Sequence, residues 1–173
     1  MQAMRVHHFG GLDSLVVEDV PRPAPGEGEV LLRVKAAGVG PWDALVRSGR
    51  SVLPQPLPLT LGSDVSGLVE HVGAGVSQFR TGDAVFGATN ARFTGGYAEY
   101  AVAPEDQLAR KPGNLSFEQA AVVPVSGLTA LHALTDVGRV ETGQQVLIIG
   151  ASGGVGSYAV QLAKALGAEV TGV

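Results

Sequence analysis

Residues 145–167 constrain the fold of this chain more than any other stretch, because they read as a strand, a glycine turn and a helix without a gap. Four consecutive apolar residues, Val146 to Ile149, fit a parallel strand that is covered on both faces. Glycine-rich residues 150–156 follow, and Gly167 stands where a helix would end in a left-handed cap. We therefore predict a strand–turn–helix unit. The residues that share the apolar face of this helix are Val155, Ala159, Leu162, Ala163 and Leu166.

The same turn has the spacing of a dinucleotide-binding fingerprint. It matches the pattern GxGxxG with alanine in the first glycine slot. A helix that begins here points unpaired backbone amides and a partial positive charge at the turn, where glycines leave room for a pyrophosphate. We predict that a dinucleotide binds here; the alternative is a glycine turn before an ordinary amphipathic helix. The predicted contact residues are Ala151, Ser152, Gly153, Gly154, Val155 and Gly156.

Composition excludes several other classes of protein. Of the 173 residues, 45% are hydrophobic, but no apolar run approaches the ~18 residues needed to cross a bilayer. The net charge of −4, without a basic run, argues against nucleic acid as a partner. The first residues lack the apolar core of a signal peptide. We therefore expect a soluble, cytoplasmic protein with neither a nucleic acid nor a membrane as partner.

The chain is poor in metal ligands. It has no cysteine, which excludes disulfides and thiolate-rich zinc sites. Its four histidines fall in separate predicted elements, which favours surface or core positions over a metal site. We expect no bound metal.

Short strands joined by glycine and proline turns precede the strand–turn–helix unit, which is typical of a small antiparallel barrel. The clearest strand, residues 29–39, alternates: Val30 and Leu32 point one way, Arg33 and Lys35 the other. A short helix is expected to start at Pro41, a residue tolerated at the first helical position. Further strands are predicted at residues 4–9, 15–20, 65–72, 84–87 and 97–102.

The architecture is predicted to change near residue 120. Ser116, followed three residues later by Gln119, has the pattern of a capping box at the start of a helix. Pro124 interrupts this helix, and a second helix follows. The apolar face of that second helix is predicted to contain Leu128, Leu131 and Leu134.

Two loops between the predicted barrel strands carry side chains suited to a pocket. Trp42 and Asp43 begin the short helix, and Asn90 and Phe93 lie in a polar loop that ends in glycine. Structural alternatives remain open: Trp42 as a core aromatic, Asp43 as a helix-capping carboxylate, and Asn90 as a residue that bonds its own turn.

In this order, the segments resemble the medium-chain dehydrogenase/reductase superfamily, specifically its zinc-free quinone oxidoreductase-like branch. The resemblance covers nearly the whole chain. It rests on EVLLRVKAAGV, GPWD, LGSDVSGLVEHVGAGV, GDAVFG, GGYAEYAV, PVSGLTALHAL and VLIIGASGGVGSYAVQLAKALGAEV.

The resemblance implies a mixed β and α/β fold. A GroES-like barrel, the catalytic domain, would occupy residues 1–120, and the first βαβ part of a Rossmann fold would occupy residues 121–173. Members of the family run about twice this length, so the Rossmann part is expected to be truncated. An unpaired sheet edge and half-covered helices would make such a chain unstable or dependent on a partner.

Zinc-dependent relatives carry a cysteine in the loop that reads GVGPWD here, and a histidine–glutamate pair after the glycine that is Gly62 here. This chain has Gly40, Ser63 and Asp64 around those positions, which reinforces the expectation of no zinc. Many zinc-free relatives have asparagine in place of Gly40, a side chain that helps to hold the nicotinamide end of the cofactor. Gly40 has no side chain, so this chain cannot make that contact at position 40.

The resemblance implies an NADPH-dependent oxidoreductase that transfers a hydride to a quinone or an α,β-unsaturated carbonyl without zinc. Thr129, in SGLTA, would meet the nicotinamide–ribose end of the cofactor. The four loop residues Trp42, Asp43, Asn90 and Phe93 would border the substrate. NADH stays open as the cofactor, because the residue that selects between the two is expected ~20 residues beyond the glycine motif, past Val173.

Several points stay open from the sequence alone. No catalytic residue is assigned: Tyr97 and Tyr100 can donate a proton, but packing roles and a water donor are alternatives. The family habit implies a homodimer for the full-length form. The alternative functions are a dinucleotide-binding sensor or structural protein without turnover, and an inactive fragment of the reductase.

Overall fold

The computed structural model describes all residues from 1 to 173, and the chain divides into two compact units, Met1–Pro124 and Val125–Val173. The first unit is built on antiparallel strands and the second on parallel strands and helices, so the predicted mixed β and α/β fold is confirmed. The boundary implied by the resemblance, after residue 120, falls inside a short helix that packs against strands of the first unit.

Eight strands form the first unit, with two α-helices between and after them. The strands are β1 (Gln2–Val6), β2 (Leu15–Asp19), β3 (Glu29–Ala37), β4 (Leu59–Thr60), β5 (Asp64–Val72), β6 (Ala84–Ala88), β7 (Tyr100–Pro104) and β8 (Leu108–Arg110). The helices are α1 (Pro41–Arg47) and α2 (Phe117–Ala121), with 3-10 turns at Leu12–Ser14 and Glu105–Gln107.

One antiparallel sheet has the strand order β7-β3-β5-β6-β8, and a smaller one has the order β2-β1-β4. The main core lies against the larger sheet and includes the fully buried Val30, Leu32 and Val85. On β3, the predicted exposure of Arg33 and Lys35 is observed. Leu31 is buried as well, because a register shift between Leu31 and Leu32 interrupts the simple alternation.

The prediction of a strand over residues 97–102 is wrong at its start. β7 begins at Tyr100, and Tyr97 instead bonds two other segments: its N–H donates to Leu61 O, and its carbonyl accepts from Met4 N–H. Ala98 forms only an isolated bridge, to Ala3. The chain passes between two sheets here, which sequence alternation cannot reveal.

The capping box before α2 is confirmed in both directions. Gln119 N–H donates to Ser116 Oγ at 3.2 Å, and Ser116 N–H donates to Gln119 Oε1 at 2.9 Å. Pro124 ends this helical stretch as predicted and begins α3 (Pro124–His132), which continues as a π-helical turn over Ala133–Val137.

The second unit contains the predicted strand–turn–helix arrangement. Strands β9 (Gln145–Ile148) and β10 (Glu169–Gly172) are parallel, and α4 (Gly154–Ala165) connects them. Gly167, at φ +84°, follows the helix in the left-handed conformation predicted for it. A small core joins α3, β9 and α4. Its buried members are Ala130, Leu134, Ile148, Ala159 and Ala163.

The exposures in this unit contradict the expectation that the strand is covered on both faces, and they agree with the expectation of half-covered helices. β9 is not covered on both faces, because Leu147 is 62% exposed and a groove of about 580 Å³ follows β9 and β10. Val155, at the start of α4, is 37% exposed. On α3, Leu128 and Leu131 are exposed, and Ala130 takes the buried position beside Leu134. Two strands and two helices bury only the inward side of each element.

None of the helices has the length and apolar character that a membrane crossing requires.

Candidate functional site

The glycine turn of the second unit brings the backbone of α4 against the end of β9. Gly150 has φ +75°, a left-handed conformation that favours glycine. A Cβ atom on Gly156 would lie 2.0 Å from the carbonyl oxygen of Gly150, so no side chain fits at that position. The fingerprint glycine at 156 therefore permits close packing between the helix and the turn.

Some of the predicted pyrophosphate contacts are already engaged within the protein. The N–H groups of Gly150 and Ala151 both donate to Val173 O, at 2.8 and 3.0 Å, and Gly153 N–H donates to Gly150 O at 2.9 Å. The backbone donors of these three residues therefore stabilise the turn itself. The remaining backbone donors of the fingerprint are the N–H of Ser152 in the turn and those at the start of α4.

The first turn of α4 fits a pyrophosphate. The first residues of a helix lack intrahelical partners for their N–H groups, and no side chain caps this helix at Gly153. Space is open over Gly154, where an added Cβ would meet only Ser126 Oγ, at 3.5 Å. Gly154, Val155 and Gly156 thus present backbone donors at a positive helix end that an anion can approach.

Two hydroxyl side chains of α3 belong to the SGLTA segment in this unit. Thr129, predicted to meet the nicotinamide–ribose end, is exposed, and its Oγ1 donates to Val125 O at 2.7 Å while its lone pairs can still accept. Ser126 was missed by the sequence analysis although it lies closest to the open space over Gly154. Its place in the same short segment as Thr129 was the available signal.

In the first unit, the structure brings two of the four predicted pocket residues into contact. The rings of Trp42 and Phe93 lie 6.2 Å apart between centroids, tilted by 45°. Phe93 has φ +61°, an uncommon conformation for a residue with a side chain, and packs on a core cluster that includes Val46 and Leu61. The result is a partly exposed aromatic pair.

Asp43, next to Trp42 in α1, is 5% exposed. Its Oδ2 accepts from Gly40 N–H at 2.8 Å, which is the capping interaction weighed above, and from the Tyr97 hydroxyl at 2.8 Å. Tyr97 in turn packs its ring over Gly62, where a Cβ would lie 2.1 Å from the ring. Tyr97 thus joins the start of α1 to a segment 54 positions away.

Burial dominates the ionisation of this pair. It raises the pKa of Asp43 above the ordinary 3.8, while the Gly40 N–H, the Tyr97 hydroxyl and the Gly62 N–H act in the opposite direction. Burial, and then the hydrogen bond to Asp43, hold the pKa of Tyr97 far above its ordinary 10. The proton therefore stays on the Tyr97 oxygen at neutral pH.

Asn90 is joined to Phe93 through the backbone, because the Phe93 N–H donates to Asn90 O at 3.3 Å. Its Nδ2 donates to Thr94 O at 2.7 Å and its Oδ1 accepts from Arg92 N–H at 2.9 Å, so the side chain closes its own turn. It also borders a cavity of about 410 Å³ that Arg5 and Tyr100 line as well. Its contact with a substrate stays a prediction, as do those of the other three residues.

The segment after Gly62 holds buried polar groups. Ser63 is fully buried and Asp64 is 2% exposed, and Ser63 Oγ donates to Asp64 Oδ1 at 3.3 Å. No group of three or more histidine, cysteine, aspartate or glutamate side chains lies close enough together to hold a metal ion.

Comparison with known proteins gives a consistent result. Residues 26–113 match the family described as "Alcohol dehydrogenase GroES-like domain". The chain is 45% identical over 173 residues to the quinone oxidoreductase of Sus scrofa, covering 99% of this chain and 52% of that protein. The chain spans about half the length of the curated relatives it matches.

Solved structures agree with this result. The quinone oxidoreductase from Coxiella burnetii has a TM-score of 0.90 at 38% identity, over 99% of this chain and 56% of that one. The mycobacterial protein Rv1454c, solved in complex with NADPH, has a TM-score of 0.88 at 38% identity, over 99% of this chain and 52% of its own.

Proposed function

The chain belongs to the medium-chain dehydrogenase/reductase superfamily, with its quinone oxidoreductase-like members, and from this premise we propose that the complete protein is an NADPH-dependent, zinc-independent reductase of quinones or α,β-unsaturated carbonyls. The observation that carries the proposal is the open first turn of α4 over Gly154, which suits a dinucleotide pyrophosphate. The bound dinucleotide would supply the hydride, which is chemistry the protein side chains lack.

The second unit would hold the cofactor. The N–H groups of Gly154, Val155 and Gly156 donate to the pyrophosphate oxygens, and Ser126 and Thr129 offer hydroxyl groups from α3. Ala151, Ser152 and Gly153 shape the turn that positions these donors. The NADPH complex of the mycobacterial protein supports binding of a dinucleotide and is the reason that NADPH is the cofactor we propose.

The first unit would hold the substrate. Trp42 and Phe93 form a partly exposed aromatic pair that suits a flat, conjugated molecule such as a quinone. Asp43 and Tyr97 fix the start of α1 and hence the position of Trp42. Asn90 would border the substrate only through the face of its amide that its own turn leaves free.

The proposal that the reaction needs no zinc rests on ligand chemistry. Gly40, Ser63 and Asp64 stand around the positions at which zinc-dependent relatives carry a cysteine and a histidine–glutamate pair, so this chain has neither a thiolate nor an imidazole there. Elemental analysis of the purified protein is expected to find less than stoichiometric zinc. Reductase activity that chelator abolishes and zinc restores would contradict this part of the proposal.

The direct test uses the full-length protein that contains this chain. NADPH and NADH are titrated by fluorescence, and consumption of NADPH is then followed with 1,4-naphthoquinone and 2-cyclohexenone. We expect tighter binding of NADPH and its oxidation by at least one of the two acceptors. Binding without consumption across quinones and enones would favour the alternative, a dinucleotide-binding sensor or structural protein without turnover.

A matched pair of variants tests the proposed pyrophosphate site at residues 150–156, which we call the cradle. Gly154→Val places a side chain where the pyrophosphate would approach, and Ser152→Val changes an exposed residue of the same turn. We expect the first variant to weaken NADPH binding at least tenfold and the second to change it less.

The complete protein is also expected to be a cytoplasmic homodimer, which light scattering of the purified protein and cell fractionation can check.

A further inference from the structure

An unusual donor lies within the aromatic pair of the first unit. Trp42 Nε1 is buried and has no hydrogen-bond partner, although an indole N–H can only donate and normally finds an acceptor when it is enclosed. A buried donor without a partner destabilises the folded protein, because it has lost its hydrogen bonds to water. Such a group calls for a functional explanation.

The position of the indole explains why Gly40 has no side chain. A Cβ atom on Gly40 would lie 2.2 Å from Trp42 Cζ2 and 2.3 Å from Cε2, the atom bonded to Nε1. Gly40 has φ −122°, an extended conformation open to any residue, so the requirement for glycine here is steric. The indole therefore occupies the space that a side chain at position 40 would fill.

Trp42 Nε1 has no acceptor within the protein. The indole rests on the Gly40 backbone on one side and faces the Phe93 ring at 6.2 Å between centroids. The Asp43 carboxylate accepts through Oδ2 from the Gly40 N–H and the Tyr97 hydroxyl, and its buried Oδ1 does not accept from Nε1. An unpaired N–H donor in an aromatic pair fits the carbonyl oxygen of a flat conjugated ligand.

We propose that the Trp42 Nε1–H donates a hydrogen bond to the carbonyl oxygen of the quinone or enone substrate, and that the indole does so from the space left by Gly40. The inference rests on the proposed function and specifies its substrate contact. Because Nε1 is enclosed in the free protein, the atoms that cover it must move when the ligand reaches the donor.

This contact would contribute to catalysis as well as to binding. Negative charge builds up on the carbonyl oxygen as the conjugated system accepts a hydride, so a donor aimed at that oxygen binds the transition state more tightly than the ground state. Loss of a single donor of this kind lowers kcat by about 10²-fold to 10³-fold in other enzymes. Trp42 would then be a catalytic residue.

The first experiment observes the donor directly in the full-length protein without dinucleotide. The indole ¹H–¹⁵N NMR signal of Trp42, the sole tryptophan of this chain, is assigned by its loss in Trp42→Phe. Addition of 1,4-naphthoquinone is expected to move the indole proton downfield, and naphthalene, which lacks the oxygens, is not. An unmoved signal at saturating quinone, or equal movement with naphthalene, would overturn the proposal.

The second experiment separates donation from packing. Trp42→Ala is expected to lower kcat for naphthoquinone reduction by about 10²-fold. Trp42→Phe keeps an aromatic ring but removes the N–H, and Trp42→His keeps a ring with one N–H donor. We expect the histidine variant to retain at least tenfold more kcat than the phenylalanine variant. Equal kcat of the two would assign Trp42 to packing alone.

Different results would contradict the proposed function and the proposed role of Trp42. Absence of turnover by the wild-type full-length protein with every quinone and enone would remove the proposed function. Normal turnover, together with an unmoved indole signal, would leave the proposed function in place and remove only the role of Trp42. The NMR titration is made on the wild-type protein, and Trp42→Phe serves only to assign the signal, so a folding defect in Trp42→Ala cannot decide the outcome.

Discussion

The two units of the chain bury their apolar residues to different degrees. In the first unit, β3 and β5 lie between neighbouring strands, and Val30, Leu32 and Val65 are completely buried. In the second unit, β9 pairs with β10 alone, and Leu147 and Ile149 are 62% and 81% exposed. The first unit encloses its core among several strands, whereas the β9–β10 pair of this chain, which spans about half the length of its relatives, leaves one face exposed.

The comparison also separates two kinds of site. The aromatic pair and the Asp43–Tyr97 hydrogen bond of the first unit depend on contacts between distant segments. The cradle of the second unit depends on a few consecutive backbone groups of the turn and of α4. We therefore expect the first site to be sensitive to core mutations and the second to be sensitive mainly to changes in its own glycines.

The largest expected effect tests the difference in packing. Leu32→Ala removes a fully buried side chain from the main core and should lower the free energy of unfolding of the first unit by about 3–5 kcal/mol. Leu134→Ala, in the less enclosed core of the second unit, should cost less, about 2 kcal/mol. Hydrogen exchange at β3 and β9 amides measures the stability of each unit separately. Equal losses of stability in the two variants would contradict the difference in packing.

The next effect tests the close contact at the glycine turn. Gly156→Ala places a Cβ 2.0 Å from Gly150 O, so α4 must shift, and we expect a loss of about 1–3 kcal/mol in the stability of the second unit. Gly153→Ala is the matched control, because its Cβ would lie 3.2 Å from the same oxygen and needs a smaller adjustment. Thermal unfolding followed by circular dichroism compares them, and a control as damaging as Gly156→Ala would contradict the contact argument.

A smaller effect, visible as a trend with pH, contrasts one carboxyl of each unit. Burial raises the folded pKa of Asp43 above 3.8, so the unfolded chain loses that proton first and stability falls as pH rises through this window. Asp43→Asn removes this dependence of stability on pH. The free energy of unfolding of the variant, relative to that of the wild type, should therefore increase as pH rises from about 3 to 7.

Asp136, in the second unit, should show the opposite trend. The hydrogen bond from His132, followed by that from Thr135, lowers its folded pKa below 3.8. The stabilisation by Asp136 is therefore present above pH 3.8 and is lost as pH falls through the folded pKa. The free energy of unfolding of Asp136→Asn, relative to that of the wild type, should decrease as pH rises. Urea unfolding of both variants across the same pH range checks the two signs, and trends of the same sign would refute the assignment.

The smallest effect is expected on the uncovered side of the second unit. Ile149→Thr should change the free energy of unfolding by no more than about 0.5 kcal/mol, because the side chain is 81% exposed. Urea unfolding of the chain measures this value. A loss above about 2 kcal/mol would mean that this side chain is buried in solution, and the contrast between the two units would then be smaller than the exposures indicate.

Local features followed from the sequence. The capping box of Ser116 and Gln119, the helix start at Pro41 and the left-handed Gly167 each depend on residues within one turn of each other. The fingerprint at residues 151–156 is also a local feature, because a strand, a turn and a helix that follow one another directly restrict the backbone geometry. Short-range backbone sterics and hydrogen bonding determine such features.

Only the tertiary structure decided the long-range features. Trp42 and Phe93, 51 positions apart, meet as one aromatic pair, and Tyr97 reaches Asp43 because the chain crosses between two sheets before β7. The exposure of Leu128 and Leu131 depended equally on which neighbours cover α3. A residue pattern specifies an apolar face, but burial of that face and contacts across the barrel depend on packing between segments far apart in sequence.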